Sequence, residues 1–118
     1  MRMPEERIAS LDQTDRLLAG FILHKLWFYR YWCASGGAHH LGHTALSNLP
    51  KGRARSDAGK IYSVAKKLHR WGFISVFPST GEKHVCACRS EDIIDQGLIL
   101  VNEYCSSVQL PPVRRTEI

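Results

Sequence analysis

The stretch from Ser56 to Cys88 restricts the fold most: an amphipathic helix stopped by a glycine, a strand, a tight turn and a returning strand. Ile61, Ala65 and Leu68, with Val64 beside them, recur at helical spacing and define an inward stripe. The opposite side shows Gly59, Ser63, Lys66 and Arg70, flanked by Lys60 and Lys67. Ser56 is placed to accept from the free amides of the first turn, and Asp57 suits the positive end of the helix dipole. Gly72 suits the left-handed residue after the last turn, and Leu68 and Phe73 are spaced for the apolar contact of a Schellman closure. Beyond it, Ile74 and Val76 share one face of a strand. Pro78-Ser79-Thr80-Gly81-Glu82 supplies turn residues, and Lys83 to Cys88 returns with Val85 and Ala87 opposite Ile74 and Val76.

Charge is concentrated in the same region. Between Lys51 and Arg70 seven basic residues (Lys51, Arg53, Arg55, Lys60, Lys66, Lys67, Arg70) face one acid, Asp57, for a net +6. The remaining nine basic and ten acidic residues leave −1, so all of the excess positive charge of the 118-residue chain lies in one segment. A solvated polar face is the ordinary explanation of surface lysines. Several on one helix face with almost no acid nearby point instead to phosphate binding.

The rest of the chain frames that segment. Residues 1–11 read as a flexible leader, and Asp12 or Thr14 can cap a helix over Asp15 to Cys33. Leu17, Phe21, His24, Phe28 and Trp32 fall along one side of it, while Leu23, Leu26 and Trp27 lie well away, so it is apolar over most of its circumference. Such a helix is buried on more than one side. Ser35-Gly36-Gly37 breaks the chain, and a short helix over Ala45 to Leu49, capped by Thr44, stops at Pro50. A last helix begins after Ser90 and carries Ile93, Ile94, Leu98, Val101 and Tyr104, with Gly97 an unfavourable residue in its middle. Residues 106–118 read as an extended tail.

Taken together, the order is the outline of a winged helix-turn-helix. The expected class is α+β, mostly helical, with a two-stranded wing and an extra C-terminal helix over residues 12–105. The connection Lys51 to Arg55 is longer than the usual turn of that motif. With 44% hydrophobic and 23% charged residues, the chain has the composition of one folded domain. Its longest apolar stretch, Leu17 to Leu23, falls short of the roughly 20 residues of a membrane span. No secretory signal pattern opens the chain, so a cytoplasmic location is expected, with Cys33, Cys86, Cys88 and Cys105 as reduced thiols. Cys86 and Cys88 point to the same face of one strand and are poorly placed to bridge each other.

Other chemistries are set aside. His84, Cys86 and Cys88 with His39, His40 and His43 evoke zinc, but no pair has the Cys-x-x-Cys spacing of structural sites, so no metal is expected. Gly52 to Lys60 has six residues between its glycines where a phosphate-binding loop needs four, and Ile61 stands where that loop has a hydroxyl. No nucleophile or metalloprotease motif occurs, so neither an enzyme nor a cofactor is expected. Trp27, Phe28, Tyr29, Tyr31 and Trp32 suit a core or an interface better than base stacking.

The runs GGAHHLGHTALSNLPKG and DAGKIYSVAKKLHRWGFISVFPSTGEKHV resemble small archaeal winged-helix proteins of the transcription-regulator type, over about residues 15 to 104. The resemblance implies that Lys60, Ser63, Lys66, Lys67 and Arg70 read the major groove, though HVCAC in the wing strand departs from the pattern. LWFYRYWCASGG also resembles a winged-helix small-subunit ribosomal protein, which implies structured RNA as an alternative target. The expectation is therefore a regulator that binds double-stranded DNA. Lys51, Arg53, Arg55 and Lys83 grip the backbone, and Leu23, Leu26, Trp27, Leu98 and Val101 form a homodimer interface. A winged-helix protein-interaction module is the rival from another class.

Overall fold

The computed structural model describes residues 8–33, 42–79 and 81–118. Helix α1 spans Gln13–Phe28 and is capped by Asp12, whose carboxylate accepts from the Asp15 amide at 2.8 Å. It ends five residues short of Cys33. The amide of Arg30 bonds to Trp27 and that of Tyr31 to Leu26, a Schellman closure with Arg30 at φ +60 where glycine is usual. The chain then runs extended beside the last strand: Ala87 donates to Tyr31 at 2.7 Å and Cys33 donates to Ala87 at 2.9 Å.

Strand β1 is Thr44–Ala45, followed by 3-10 turns at Leu46–Asn48 and Arg55–Asp57. Helix α2 spans Ala58–Arg70, strands β2 and β3 are Ile74–Ser79 and Glu82–Ala87, and helix α3 is Glu91–Ser107. The sheet is antiparallel and three-stranded in the order β1-β3-β2, not the two-stranded hairpin expected. The short helix predicted over Ala45 to Leu49 gives way to β1 and a single 3-10 turn. Thr44 accepts from the Asn48 side chain at 2.8 Å instead of capping a helix. Ser56 likewise lies inside a 3-10 turn, and α2 begins without a side-chain cap.

Other local expectations match. Gly72 has φ +86, Phe73 donates to Leu68 at 2.9 Å and Gly72 to His69 at 3.2 Å, the double bond pattern of a Schellman closure. The hairpin register pairs Ile74 with Ala87 and Val76 with Val85. Gly81, at φ +85, sits in the two-residue connection between Ser79 and Glu82.

The core is built around α1, which packs on α2, α3 and β3. Leu18, Ile22, Leu23 and Leu26 of α1 meet Ile61, Val64 and Leu68 of α2, Phe73, Ile74 and Val85 around the hairpin, and Leu100 of α3, all fully buried. Burying each such side chain is worth about 1.5–3 kcal/mol. That answers why α1 is apolar almost all round: several elements cover it. Arg16 clamps α1 to α3 through Glu103, with Nη2 2.7 Å from Oε1 and Nε 3.0 Å from both carboxylate oxygens.

The expectation of four reduced thiols is overturned for two of them. Cys33 and Cys86 form a disulfide across a sequence separation of 53. The parallel run of residues 31–33 along β3 brings the two Cα atoms to 5.2 Å, within bridging range. Cys88 and Cys105 remain thiols. Helix α3 continues to Ser107, two residues into the stretch read as a tail; after a turn at Val108 and Gln109 the chain is extended through Pro111-Pro112 but returns to the body. Asn102 bonds both backbone groups of Val113 (2.8 and 3.2 Å), Arg115 pairs with Asp95, and Val113 and Ile118 pack on the core. Of the residues read as a leader, Ile8 and Leu11 are buried and residues 1–7 lie outside the described ones. Among the described residues no helix is long and apolar enough to cross a membrane.

Candidate nucleic-acid interface

Helix α2 is amphipathic because Ile61, Val64, Ala65 and Leu68 are drawn into the core, which turns Lys60, Ser63, Lys66 and Arg70 to solvent. Lys83 of β3 is exposed on the adjoining hairpin, and Lys51 and Arg55 are exposed on the connection that leads into α2. Two of the predicted contacts are partly engaged elsewhere. Lys67 is half-buried, with Nζ 3.5 Å from the Asp15 carboxylate of α1. Arg53 lies 3.3 Å from Asp57 and stacks its guanidinium over the Phe21 ring at 5.4 Å. Their proximity in sequence to the other cations did not reveal this, because the competing partners come from α1 and from the approach to α2.

Lys25 organises the connection from beneath. Its ammonium donates to the carbonyls of Asn48 (2.7 Å), Leu49 (3.3 Å) and Lys51 (2.8 Å), so a cation from α1 holds the turn that carries Lys51. Burial, and secondarily the charge of Lys51, push Lys25 below the ordinary lysine value of 10.5. His69 ties α2 to the hairpin: its Nδ1 accepts from the Val76 amide at 3.1 Å, fixing the proton on Nε2. Neither residue was singled out from sequence, although His69 falls on the outward side of the predicted helix.

Between α2 and the hairpin runs a groove of about 530 Å³. Tyr62, Ser63, Lys66 and His69 form one wall, Val76, Phe77, Pro78 and Lys83 the other, with Leu46 and Ala65 completing it. Among the described residues no acid lines it, and Lys66 and Lys83 make its field positive over an apolar floor. Tyr62, like His69, lines the groove and was missed by sequence reasoning; its place one turn before Lys66 was the available signal.

The residues assigned to a dimer contact lie elsewhere and are covered. Leu23, Leu26, Trp27 and Val101 are buried within the single chain and Leu98 is half-buried, because α3 lies against α1. Leu23, Leu26, Trp27 and Val101 are core residues, which corrects the interface expectation for those four. Among the described residues the most exposed aromatics are instead Phe28 (71%) and Tyr29 (58%), at the end of α1.

Burial pushes the Cys88 and Cys105 thiols above their ordinary value, the opposite of an activated nucleophile. Among the described residues no three metal-ligating side chains converge. No family model, curated protein or solved structure matches the chain.

Proposed function

We propose that the chain is a winged-helix module that binds double-stranded DNA and acts as a regulator by occupancy. The observation that carries this reading is the exposed set Lys60, Ser63, Lys66 and Arg70 on one face of α2, next to Lys83 on the hairpin, with no acid among the described residues that line the groove between them. A helix of 13 residues is about 20 Å long and fits a major groove about 12 Å wide. Ser63, Lys66 and Arg70 then face base edges, while Lys51, Arg55 and Lys83 meet phosphates on either side. The order of elements supports the same reading. A helix, a short strand, a turn, the basic helix and a hairpin follow one another, with β1 paired to the inner hairpin strand.

The exposed Phe28 and Tyr29 favour a second activity, contact with a protein partner or a second copy, at a surface remote in sequence from α2. Binding to a mixed-sequence duplex and to a structured RNA hairpin, followed by fluorescence anisotropy alongside a gel-filtration mass, separates the readings. The proposal expects duplex binding that weakens when Lys66 and Arg70 become alanine. Binding confined to the RNA, or none to either, overturns it.

A further inference from the structure

Two imidazoles meet at the junction of the sheet's three strands. His43, immediately before β1, and His84, on β3, bring their Nδ1 atoms to 2.8 Å with ring planes at 72°. Phe77 of β2 closes one side, its ring 5.3 Å from that of His43 and 6.3 Å from that of His84. On the far edge of the His84 ring, Nε2 is shielded from solvent and lies 3.7 Å from the Glu82 carboxylate.

We propose that the two Nδ1 atoms form a binding site for a divalent cation of the zinc, nickel or copper class, which imidazole suits. With the His84 proton on Nε2, the ring edge that faces the Glu82 carboxylate at 3.7 Å, Nδ1 carries a lone pair, as in the carboxylate–histidine arrangement that orients metal ligands. His43 presents its own Nδ1 to that lone pair. One proton can bridge them, and so can a cation. Two nitrogens at tetrahedral positions around zinc stand about 3.3 Å apart, so an opening of about half an ångström admits the ion. His43 lies outside the paired strands, whereas His84 is held by its pairing to Ala45 and Phe77. Cys86, the nearest cysteine in sequence, is committed to Cys33. No third metal-ligating side chain converges there among the described residues. Bound there, the ion ties the entry to β1 onto the hairpin. The site stands independently of the nucleic-acid reading.

Calorimetric titration of the intact, disulfide-bonded protein with zinc chloride tests it. One ion per chain is expected. His43→Ala and His84→Ala each weaken binding at least about tenfold, Glu82→Gln weakens it about tenfold through His84, and Cys88→Ser leaves it unchanged. Because alanine at 84 also removes a ring beside Phe77, the exposed His43→Gln must give the same loss with an unchanged unfolding midpoint. No zinc binding, equal affinity in the folded His43 variants, or dependence on Cys88 overturns the proposal.

Discussion

The indole of Trp27 occupies the space that a side chain at Gly97 would need: a Cβ built there falls 2.8 Å from Cζ2 and 2.9 Å from Cη2 of the ring. A glycine in mid-helix costs about 1 kcal/mol relative to alanine. Here the absent side chain lets α3 close over α1. Gly20, on the other helix, is tighter still, with its Cβ position 2.2 Å from the Leu100 carbonyl oxygen.

Alanine at either glycine therefore destabilises despite its better helix propensity. Gly97→Ala is expected to lose about 1–2 kcal/mol, since the indole must shift. Gly20→Ala loses more, because its Cβ meets backbone that cannot move without separating the helices. Urea midpoints should fall in the order wild type, Gly97→Ala, Gly20→Ala. A Gly97→Ala variant as stable as wild type contradicts the packing described.

The Cys33–Cys86 bond closes a long loop, with a sequence separation of 53. Removing it in Cys33→Ser/Cys86→Ser frees the unfolded chain and lowers stability by about 2–4 kcal/mol. The backbone bonds of Tyr31 and Cys33 to Ala87 hold the same register, so the fold persists. Circular dichroism of the double variant should match wild type while its denaturation midpoint drops, and reduced wild type should behave like the variant. An unchanged midpoint counts against the cross-link.

His24 lies against Phe28 and Tyr104, at ring distances of 6.0 and 5.5 Å, and partial burial pushes it below the ordinary histidine value of 6.5. Between the lowered folded value and the unfolded 6.5, the unfolded state binds more protons, so stability rises with pH. Its contribution is complete above that value and is lost as pH falls through the lowered folded one. Thermal midpoints measured downward from neutral pH should decline less steeply in His24→Gln than in wild type. Parallel curves would remove His24 from the acid response.

Local features were legible in the sequence. Leu68, Gly72 and Phe73 announce a helix stop through side-chain size and positive φ, and the alternation around Pro78 to Glu82 sets the hairpin register. Features made by distant partners were not. The apolar circumference of α1 shows that it is covered but not by what, so Leu23, Trp27 and Val101 read as a surface for a second copy when α3 already fills that role. Strand β1 exists only through its pairing with β3, and Cys33 meets Cys86 only because α1 stops at an arginine in a left-handed conformation. In the candidate site, the outward face of α2 follows from helical periodicity. The diversion of Lys67 to Asp15 and of Arg53 to Phe21 and Asp57 depends on the tertiary path.

The salt dependence of duplex binding tests the central claim most directly. Lys51, Arg55, Lys60 and Lys83 are exposed around the base-facing residues, and if each neutralises one phosphate, log K falls against log salt with a slope of about −4. Lys51→Ala/Arg55→Ala should flatten that slope by about 2, whereas Arg114→Ala/Arg115→Ala, in a segment where Arg115 is paired with Asp95, should leave it unchanged. A slope near zero in wild type, or a loss confined to the Arg114/Arg115 variant, would contradict the assignment of α2 as the nucleic-acid-binding face.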